Sequence, residues 1–163
     1  MTTRRNASTI EAAIFARLEG EWRLERRMGD LGTFTGVAVF SPCAPDVLRY
    51  REDGVLLQEN GISLPGYREY DYRLAPDGIA IHFADAHRRG ALYVTLRFSG
   101  LAAAYEAQAT HLCAPDTYRH RMIWHADDRF STVVAVEGPR KSYTLASHYC
   151  RSATPSVCLA GIS

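Results

Sequence analysis

The sequence predicts an all-β protein: a closed, antiparallel up-and-down β-barrel of about ten strands with one short N-terminal helix. Two observations lead to this class. From residue 20 onward, large apolar residues alternate with residues of another character in short runs. Turn-forming residues separate these runs at a spacing of roughly 12 residues, mostly as hairpin-length loops. Closing such a meander into a barrel removes its exposed edges, whereas a sandwich needs long crossovers that only residues 55–67 could supply.

The helix is predicted over residues 8–18. Ser8 followed three positions later by Glu11 has the pattern of a capping box, and Gly20 suits the end of the segment. The apolar residues that share one helical face are Ile10, Ala13, Ile14 and Leu18.

The strands follow in a single series, with no domain boundary and no internal repeat. We expect one domain over residues 1–163, with the barrel at about 20–151 and a tail at 152–163 that lacks periodicity. Residues 52–54, with the sequence Glu-Asp-Gly, are among the predicted turns. The alternating runs are at residues 22–26, 34–40, 48–50, 68–74, 79–83, 92–98, 105–111, 118–124, 130–136 and 143–151.

The amino-acid composition limits the kinds of partner that we expect. The 163 residues are 47% hydrophobic and 23% charged with a net charge of +1, which predicts no nucleic-acid partner and no anionic membrane surface as partner. No apolar run approaches a membrane span, and no apolar stretch follows the basic N-terminus, so we expect a cytoplasmic protein. The cysteines show no paired spacing and are predicted to be free thiols: Cys43, Cys113, Cys150 and Cys158. The oligomeric state has no signal in the sequence.

A barrel of about ten strands is too wide for its own side chains to fill, so a ligand cavity is expected. We take the strand face with most large apolar residues as the inner face. That face also carries cations, phenols and imidazoles, which favours a ligand with acceptors, such as a carboxylate or phenolate, or acid–base chemistry. The ligand-binding candidates are Arg26, Tyr50, Tyr70, Tyr72, Cys113, His120, Trp124, Tyr143, Tyr149 and Arg151.

Four residues are candidates for catalysis. His111 could act as a general acid–base group oriented by Asp116, with Cys113 or Tyr118 as a second donor. Lys141 could clamp an anion or, less favourably, form a Schiff base. The structural alternatives are that Asp116 caps its turn, that His111 meets a nearby carbonyl, and that Lys141 is a solvated hairpin charge.

No metal site is predicted, because zinc at His111 and Cys113 would need ligands such as His82 or His120 from elsewhere.

Two motifs carry a resemblance. Gly20-Glu21-Trp22 and the late Arg151 resemble the calycin arrangement, in which an arginine from the last strand covers a tryptophan of the first. This resemblance implies a contact between Trp22 and Arg151 at the closed end of the barrel.

A longer set of strings resembles domain of unknown function 6314, a family of uncharacterised lipocalin-like proteins. The strings are residues 111–118 (HLCAPDTY), 138–143 (GPRKSY) and 149–151 (YCR), with 36–40, 48–54, 68–70 and 82–85 upstream. The similarity extends from about Phe15 to Arg151 and implies the barrel but no mechanism. Ser142 replaces the family's usual aspartate, and residues 88–93 lack its usual Phe-His pair.

The calycin architecture is shared with ten-stranded haem barrels, whose axial ligand is an inward histidine. His148 has the opposite parity to Tyr149, so His111 and His120 are the candidates if haem binds. We expect no cofactor, with haem as a minor alternative.

The favoured function is binding of a small, partly polar molecule, aromatic or amphipathic, in the cavity. The alternative is a cofactor-independent isomerase, cyclase or lyase in which tyrosines and histidine move protons while Lys141 and Arg151 stabilise an oxyanion. No nucleophile motif, P-loop or dinucleotide fingerprint is present, which disfavours hydrolases, kinases and dehydrogenases.

Overall fold

The structure, a computed structural model, describes residues 9–100 and 102–152. Within them the chain forms one α-helix, a single 3-10 turn at Gly29–Leu31, and eleven strands. The elements are α1 (Thr9–Leu18), β1 (Gly20–Met28), β2 (Thr33–Ala44), β3 (Val47–Leu57), β4 (Ser63–Ala75), β5 (Gly78–Phe83), β6 (Leu92–Leu96), β7 (Ser99–Gly100), β8 (Tyr105–Cys113), β9 (Asp116–Ala126), β10 (Arg129–Gly138) and β11 (Lys141–Arg151).

All eleven strands belong to one antiparallel sheet that curls into a barrel. The order is β6-β5-β4-β3-β2-β1-β11-β10-β9-β8-β7, so β1 and β11 pair in the middle of the sheet. The expected antiparallel barrel with one short helix is thereby confirmed.

The expected full closure is not observed, because the sheet is an open, curled barrel. Strand β6 lies beside β8 without hydrogen-bonding to it, and β7 has only two residues. We call this gap between β6 and β8 the seam. Aromatic side chains fill it: Tyr93 of β6 contacts the rings of His111 and His120. Five-residue and two-residue edge strands are too short to build a closing ladder, and side-chain packing takes its place.

A row of glycines crosses the sheet. Gly36, Gly54 and Gly66 are register partners on β2, β3 and β4. A Cβ on Gly36 would lie 2.2 Å from the carbonyl oxygen of Asp53, and one on Gly54 would lie 2.7 Å from the Phe34 ring. The predicted turn at residues 52–54 is therefore wrong: β3 runs straight through, and glycine there permits close backbone approach.

The closed end of the barrel is packed around Trp22. Its indole is fully buried, donates a hydrogen bond to the Leu18 carbonyl (2.8 Å) and meets Phe130 edge-on at 4.8 Å between ring centroids. The guanidinium of Arg151 lies 4.0 Å from the Trp22 ring centroid and donates to the Glu19 carbonyl at 2.8 Å. The contact between Trp22 and Arg151 is thus confirmed.

The backbone conformation at position 20 explains why the motif begins with a glycine. Its φ of +117° suits glycine, and a Cβ there would lie 2.7 Å from a guanidinium nitrogen of Arg151.

Glu11 connects the helix to the barrel. Its side chain is buried, and Oε1 accepts a hydrogen bond from the backbone N–H of Phe98 at 2.7 Å, which ties α1 to the segment after β6. Ser8, the other half of the predicted capping box, lies outside the described residues, as does the tail beyond residue 152.

The cysteines divide into two kinds. Cys43 and Cys113 are free and exposed, whereas Cys150 is disulfide-bonded, so the expectation of free thiols is wrong for Cys150. The spacing of cysteines along the sequence could not predict this bond, because it does not show which side chains lie close to the end of β11 in the fold. Cys158 lies outside the described residues. Across residues 9–100 and 102–152, no helix is long and apolar enough to cross a membrane.

Candidate functional site

A cavity of about 510 Å³ occupies the half of the barrel away from α1. Tyr50, Tyr72 and Tyr149 form its floor, above the packed rings of Phe40 and Phe130. Its mouth lies among the β8–β9 and β10–β11 hairpins and the loop after β5. The candidates from the sequence that line it are Arg26, Tyr50, Tyr70, Tyr72, His111, Tyr118, His120, Tyr143 and Tyr149.

Five of the sequence-based candidates lie outside the cavity. Arg151 caps the closed end, and Trp124 is buried there with its ring stacked on Phe130 at 5.6 Å. Cys113 is exposed at the end of β8. The parity argument placed these residues on the inner face, but it does not say how deep along the barrel a side chain lies.

Asp116 and Lys141 form an ion pair on the rim, outside the cavity lining. Lys141 Nζ lies 3.0 Å from Asp116 Oδ2, and 46% of the lysine side chain is exposed. The hydrogen bond to Asp116 raises the pKa of Lys141 above its ordinary value. A Cβ on Gly138 would overlap the Asp116 carboxylate, so this pair links the β8–β9 hairpin to the β10–β11 hairpin. Lys141 is the first residue of β11, next to the hairpin, where the alternation of strand faces no longer predicts that a side chain points inward.

One side of the cavity, which we call the ion-pair wall, consists of Arg26, Tyr50, Glu52, Ser147 and Tyr149. Arg26 makes two hydrogen bonds to the Glu52 carboxylate, at 2.6 and 2.8 Å, and its Nε donates to Ser147 Oγ at 2.7 Å. Tyr50 donates to Glu52 and lies 3.1 Å from the Tyr149 hydroxyl. Every charge on this wall has a partner.

The pKa values of this wall follow from burial and pairing. Burial alone would raise the pKa of Glu52, but the hydrogen bonds and charge of Arg26 outweigh it, so the pKa lies below its ordinary value. Burial raises the pKa of Tyr50 well above 10. The wall therefore holds one carboxylate, one guanidinium and protonated phenols near neutral pH.

The adjoining side, which we call the histidine wall, consists of Arg68, Tyr70, Tyr93, His111 and His120. The Tyr93 hydroxyl lies 3.4 Å from His120 Nδ1, and the Tyr70 and Tyr93 rings stack at 5.9 Å between centroids. His111 packs against Tyr93 at 5.3 Å and Tyr118 at 6.2 Å. The predicted orienting contact from Asp116 to His111 is replaced by the pair with Lys141.

His120 is the least satisfied group on this wall. Only 7% of the residue is exposed, and its Nε2 has no hydrogen-bond partner among the residues that the structure describes. Burial lowers the pKa of His120 to about 4, so the imidazole is neutral near pH 7. A neutral imidazole with one open nitrogen is suited to meet a polar atom of a ligand or to move a proton.

Arg68 stands on β4 at the mouth of the cavity. Its Nη1 lies 3.3 Å from the Tyr70 hydroxyl, and within the described ranges it has no carboxylate in ion-pair distance. The neighbouring Glu69 is engaged instead by Arg51 at 3.0 Å. Arg68 therefore has hydrogen-bond donors that the protein does not use.

Sequence reasoning missed Glu52, Arg68 and Tyr93. Glu52 and Arg68 share parity with Tyr50 and Tyr70, and this signal was available, although Glu52 was attributed to a turn. Tyr93 has no such signal. The register between β5 and β6 shifts after Ile81, so that Tyr93 lies opposite no partner and turns inward, while Leu92 pairs with His82 and is exposed. Such a bulge reverses the strand parity before Val94 without a trace in the periodicity.

The histidines do not form a metal centre with other ligands. Within residues 9–100 and 102–152, no group of three or more His, Cys, Asp or Glu side chains could hold a metal ion. His111 and His120 do line the cavity, as a haem ligand would require. The contact of Tyr93 with His120 is at Nδ1, and Nε2 has no partner among the described residues.

Fold and site together define an antiparallel β-barrel whose cavity combines aromatic rings with ionisable groups. The chain belongs to the family of unknown function DUF6314, whose model matches residues 18–151. A search of curated proteins finds no match.

Solved structures share the fold at low identity. The crystal structure of Rv2717c from M. tuberculosis matches with a TM-score of 0.58 and 14% identity, covering 90% of this chain and 99% of that one. EF1p2_mFAP2b bound to DFHBI matches with a TM-score of 0.47 and 14% identity, covering 89% and 100%. The redesigned β-barrel mFAP1 bound to DFHBI has a TM-score of 0.44 and 14% identity, covering 84% and 97%.

Proposed function

We propose that the cavity binds a small, partly polar molecule, aromatic or amphipathic. The observation that carries this proposal is the cavity itself: about 510 Å³, within the range of small-molecule sites, lined by aromatic rings and a few converging polar groups. Stacked Tyr70 and Tyr93 and the edge of Phe83 offer flat apolar surface for a ring.

The polar groups support a ligand over a purely structural role. In a purely structural network, the polar side chains satisfy one another's hydrogen bonds, as Arg26 and Glu52 do. On the histidine wall, Arg68 has unused hydrogen-bond donors and His120 Nε2 has no partner among the described residues. A ligand that reached both would supply the missing partners.

A neutral fluorescent probe tests the proposal. N-phenyl-1-naphthylamine, which brightens in apolar surroundings, is titrated into the protein and into two variants with added bulk. Leu145→Trp fills the cavity lining, whereas Leu112→Trp adds the same ring to a residue that is 73% exposed.

We expect saturable binding at about one probe per chain, weakened about tenfold or more by Leu145→Trp and unchanged by Leu112→Trp. Circular dichroism verifies that both variants fold. Equal binding by all three proteins would contradict the proposal.

The second candidate function is a cofactor-independent acid–base enzyme, an isomerase, cyclase or lyase. The Tyr93–His120 pair favours it, because a neutral imidazole backed by a phenol could take up and return a proton at Nε2. Of the two cations first assigned to oxyanion stabilisation, Lys141 lies on the rim and Arg151 at the closed end. Arg68 would take that role. Deuterium incorporation into phenylpyruvate in D₂O, followed by NMR, tests the idea: a rate equal to buffer, or one unaffected by His120→Phe, would exclude it for this class of carbon acid.

A further inference from the structure

We propose that the ligand is an aromatic carboxylate, with its acid group on Arg68 and a second polar group on His120. This inference rests on the proposed function and names the ligand class for the same cavity. It is supported by two side chains of the histidine wall with unused hydrogen-bonding capacity, Arg68 and His120, and not by the size of the cavity.

Arg68, at the mouth of the cavity, differs from Arg26, which lies deeper. Arg26 has both terminal nitrogens on Glu52 and Nε on Ser147, so it has no fork of donors left for a ligand. Arg68 makes one hydrogen bond, to the neutral Tyr70 hydroxyl at 3.3 Å. Its register partner Glu52 interacts with its charge but is not within ion-pair distance. A guanidinium presents donors in a planar fork that matches a carboxylate.

The carboxylates near the mouth are already used. Glu69 pairs with Arg51 at 3.0 Å, and Asp85 Oδ1 accepts the backbone N–H groups of His87 and Arg88 at 3.2 and 3.1 Å. Neither is within ion-pair distance of Arg68 in the part of the chain that the structure describes. Because Arg88 and Arg89 also border the cavity, the mouth attracts anions rather than cations.

The groups lie in a connected order along the histidine wall. Arg68 contacts Tyr70, Tyr70 stacks on Tyr93, and Tyr93 reaches His120 Nδ1 at 3.4 Å. A flat ring lying along the two tyrosines would have its acid group at Arg68 and its far edge near His120. His120 is only 7% exposed, and its open Nε2 needs a hydrogen-bonding partner. A hydroxyl on the ligand ring can supply one, as donor or as acceptor.

Three probes separate these interactions: 6-hydroxy-2-naphthoate, its neutral amide 6-hydroxy-2-naphthamide, and 2-naphthoate, which lacks the hydroxyl. Each displaces N-phenyl-1-naphthylamine from wild type, Arg68→Met, His120→Phe and the control Arg89→Met. Methionine keeps the length of the side chain but removes the charge. Arg89 borders the same mouth without a hydrogen bond to the tyrosines of the wall.

We expect wild type to bind the hydroxy acid about tenfold or more tightly than its amide, as a charge-assisted pair requires. Arg68→Met should reduce that ratio to about one, while Arg89→Met retains most of it. His120→Phe should abolish the preference for the hydroxy acid over 2-naphthoate and leave the acid–amide ratio in place.

The carboxylate assignment is wrong if wild type binds acid and amide equally, if Arg68→Met keeps the preference, or if none of the three competitors displaces the probe. In each case saturable, Leu145-sensitive binding of N-phenyl-1-naphthylamine would leave the proposed function standing. Loss of that binding would overturn the proposed function itself, so the two failures are distinct.

Discussion

The two walls of the cavity solve the problem of buried polarity in opposite ways. On the ion-pair wall, Arg26 and Glu52 satisfy each other and recruit two tyrosine hydroxyls. On the histidine wall, His120 is buried as deeply but has an open nitrogen, and Arg68 has unused donors. The comparison teaches that polarity in a cavity does not by itself indicate function. A buried polar atom without a partner, such as His120 Nε2, does, because its desolvation is uncompensated until a ligand arrives.

The largest expected effect comes from breaking the ion-pair wall. Glu52→Ala leaves the Arg26 charge buried without its partner, and we expect the free energy of unfolding to fall by about 3–5 kcal/mol. Urea denaturation measures it. Glu69→Ala removes a more exposed carboxylate from Arg51 and should lower stability by no more than about 1 kcal/mol. Equal losses from the two variants would contradict a structural role for this wall.

A smaller effect, dependent on pH, is expected from the histidine wall. The pKa of His120 is about 4 in the folded protein and about 6.5 in an unfolded chain, so protons bind the unfolded chain more readily. Stability therefore falls as pH drops through 6.5, and the loss is complete below about 4.

Between about pH 7.5 and about pH 5, wild type should lose about 2 kcal/mol more than His120→Phe. The exposed His87→Gln variant is the control and should follow wild type. Parallel pH profiles for wild type and His120→Phe would show that His120 titrates normally.

The smallest effect is expected outside both walls. Lys141→Met removes an exposed, solvent-screened ion pair on the rim and should leave the free energy of unfolding nearly unchanged in urea denaturation. The affinity for 6-hydroxy-2-naphthoate should stay unchanged, as measured by probe displacement. A large loss of affinity would restore Lys141 to the site and sharpen the boundary of the histidine wall.

Strand parity accounts for most of what the sequence could predict. It placed Tyr50, Tyr70, His120 and Tyr149 on the inner face, and the structure has all four lining the cavity. Parity works there because a pleated strand aims alternate side chains to opposite faces, and each of these strands is regular around the named residue.

The misses occur where the backbone departs from a regular strand or where depth matters. Tyr93 turns inward at a bulge, Lys141 lies at a hairpin, and the turn-like residues around Glu52 belong to a continuous strand beside the glycine row. Trp124 and Arg151 share the inner parity but lie at the closed end, because parity does not determine how far along the barrel a side chain lies. Whether the edges close depends on backbone pairing across the seam, which residue character does not encode.

The central position of the β1–β11 ladder has a consequence for how the chain folds. Every other ladder in the described sheet joins consecutive strands, whereas Arg26 and Ser147, which meet across this one, are 121 positions apart. Closing a flexible loop of that length costs about 2 kcal/mol more than closing a hairpin of a dozen residues. Local hairpins on either side can therefore form first, with β1 and β11 joining late. Arg26 and Glu52 lie in the same half of the sheet, so their ion pair can form early. The hydrogen bonds from Arg26 to Ser147 and Tyr149 are added only when the two halves meet.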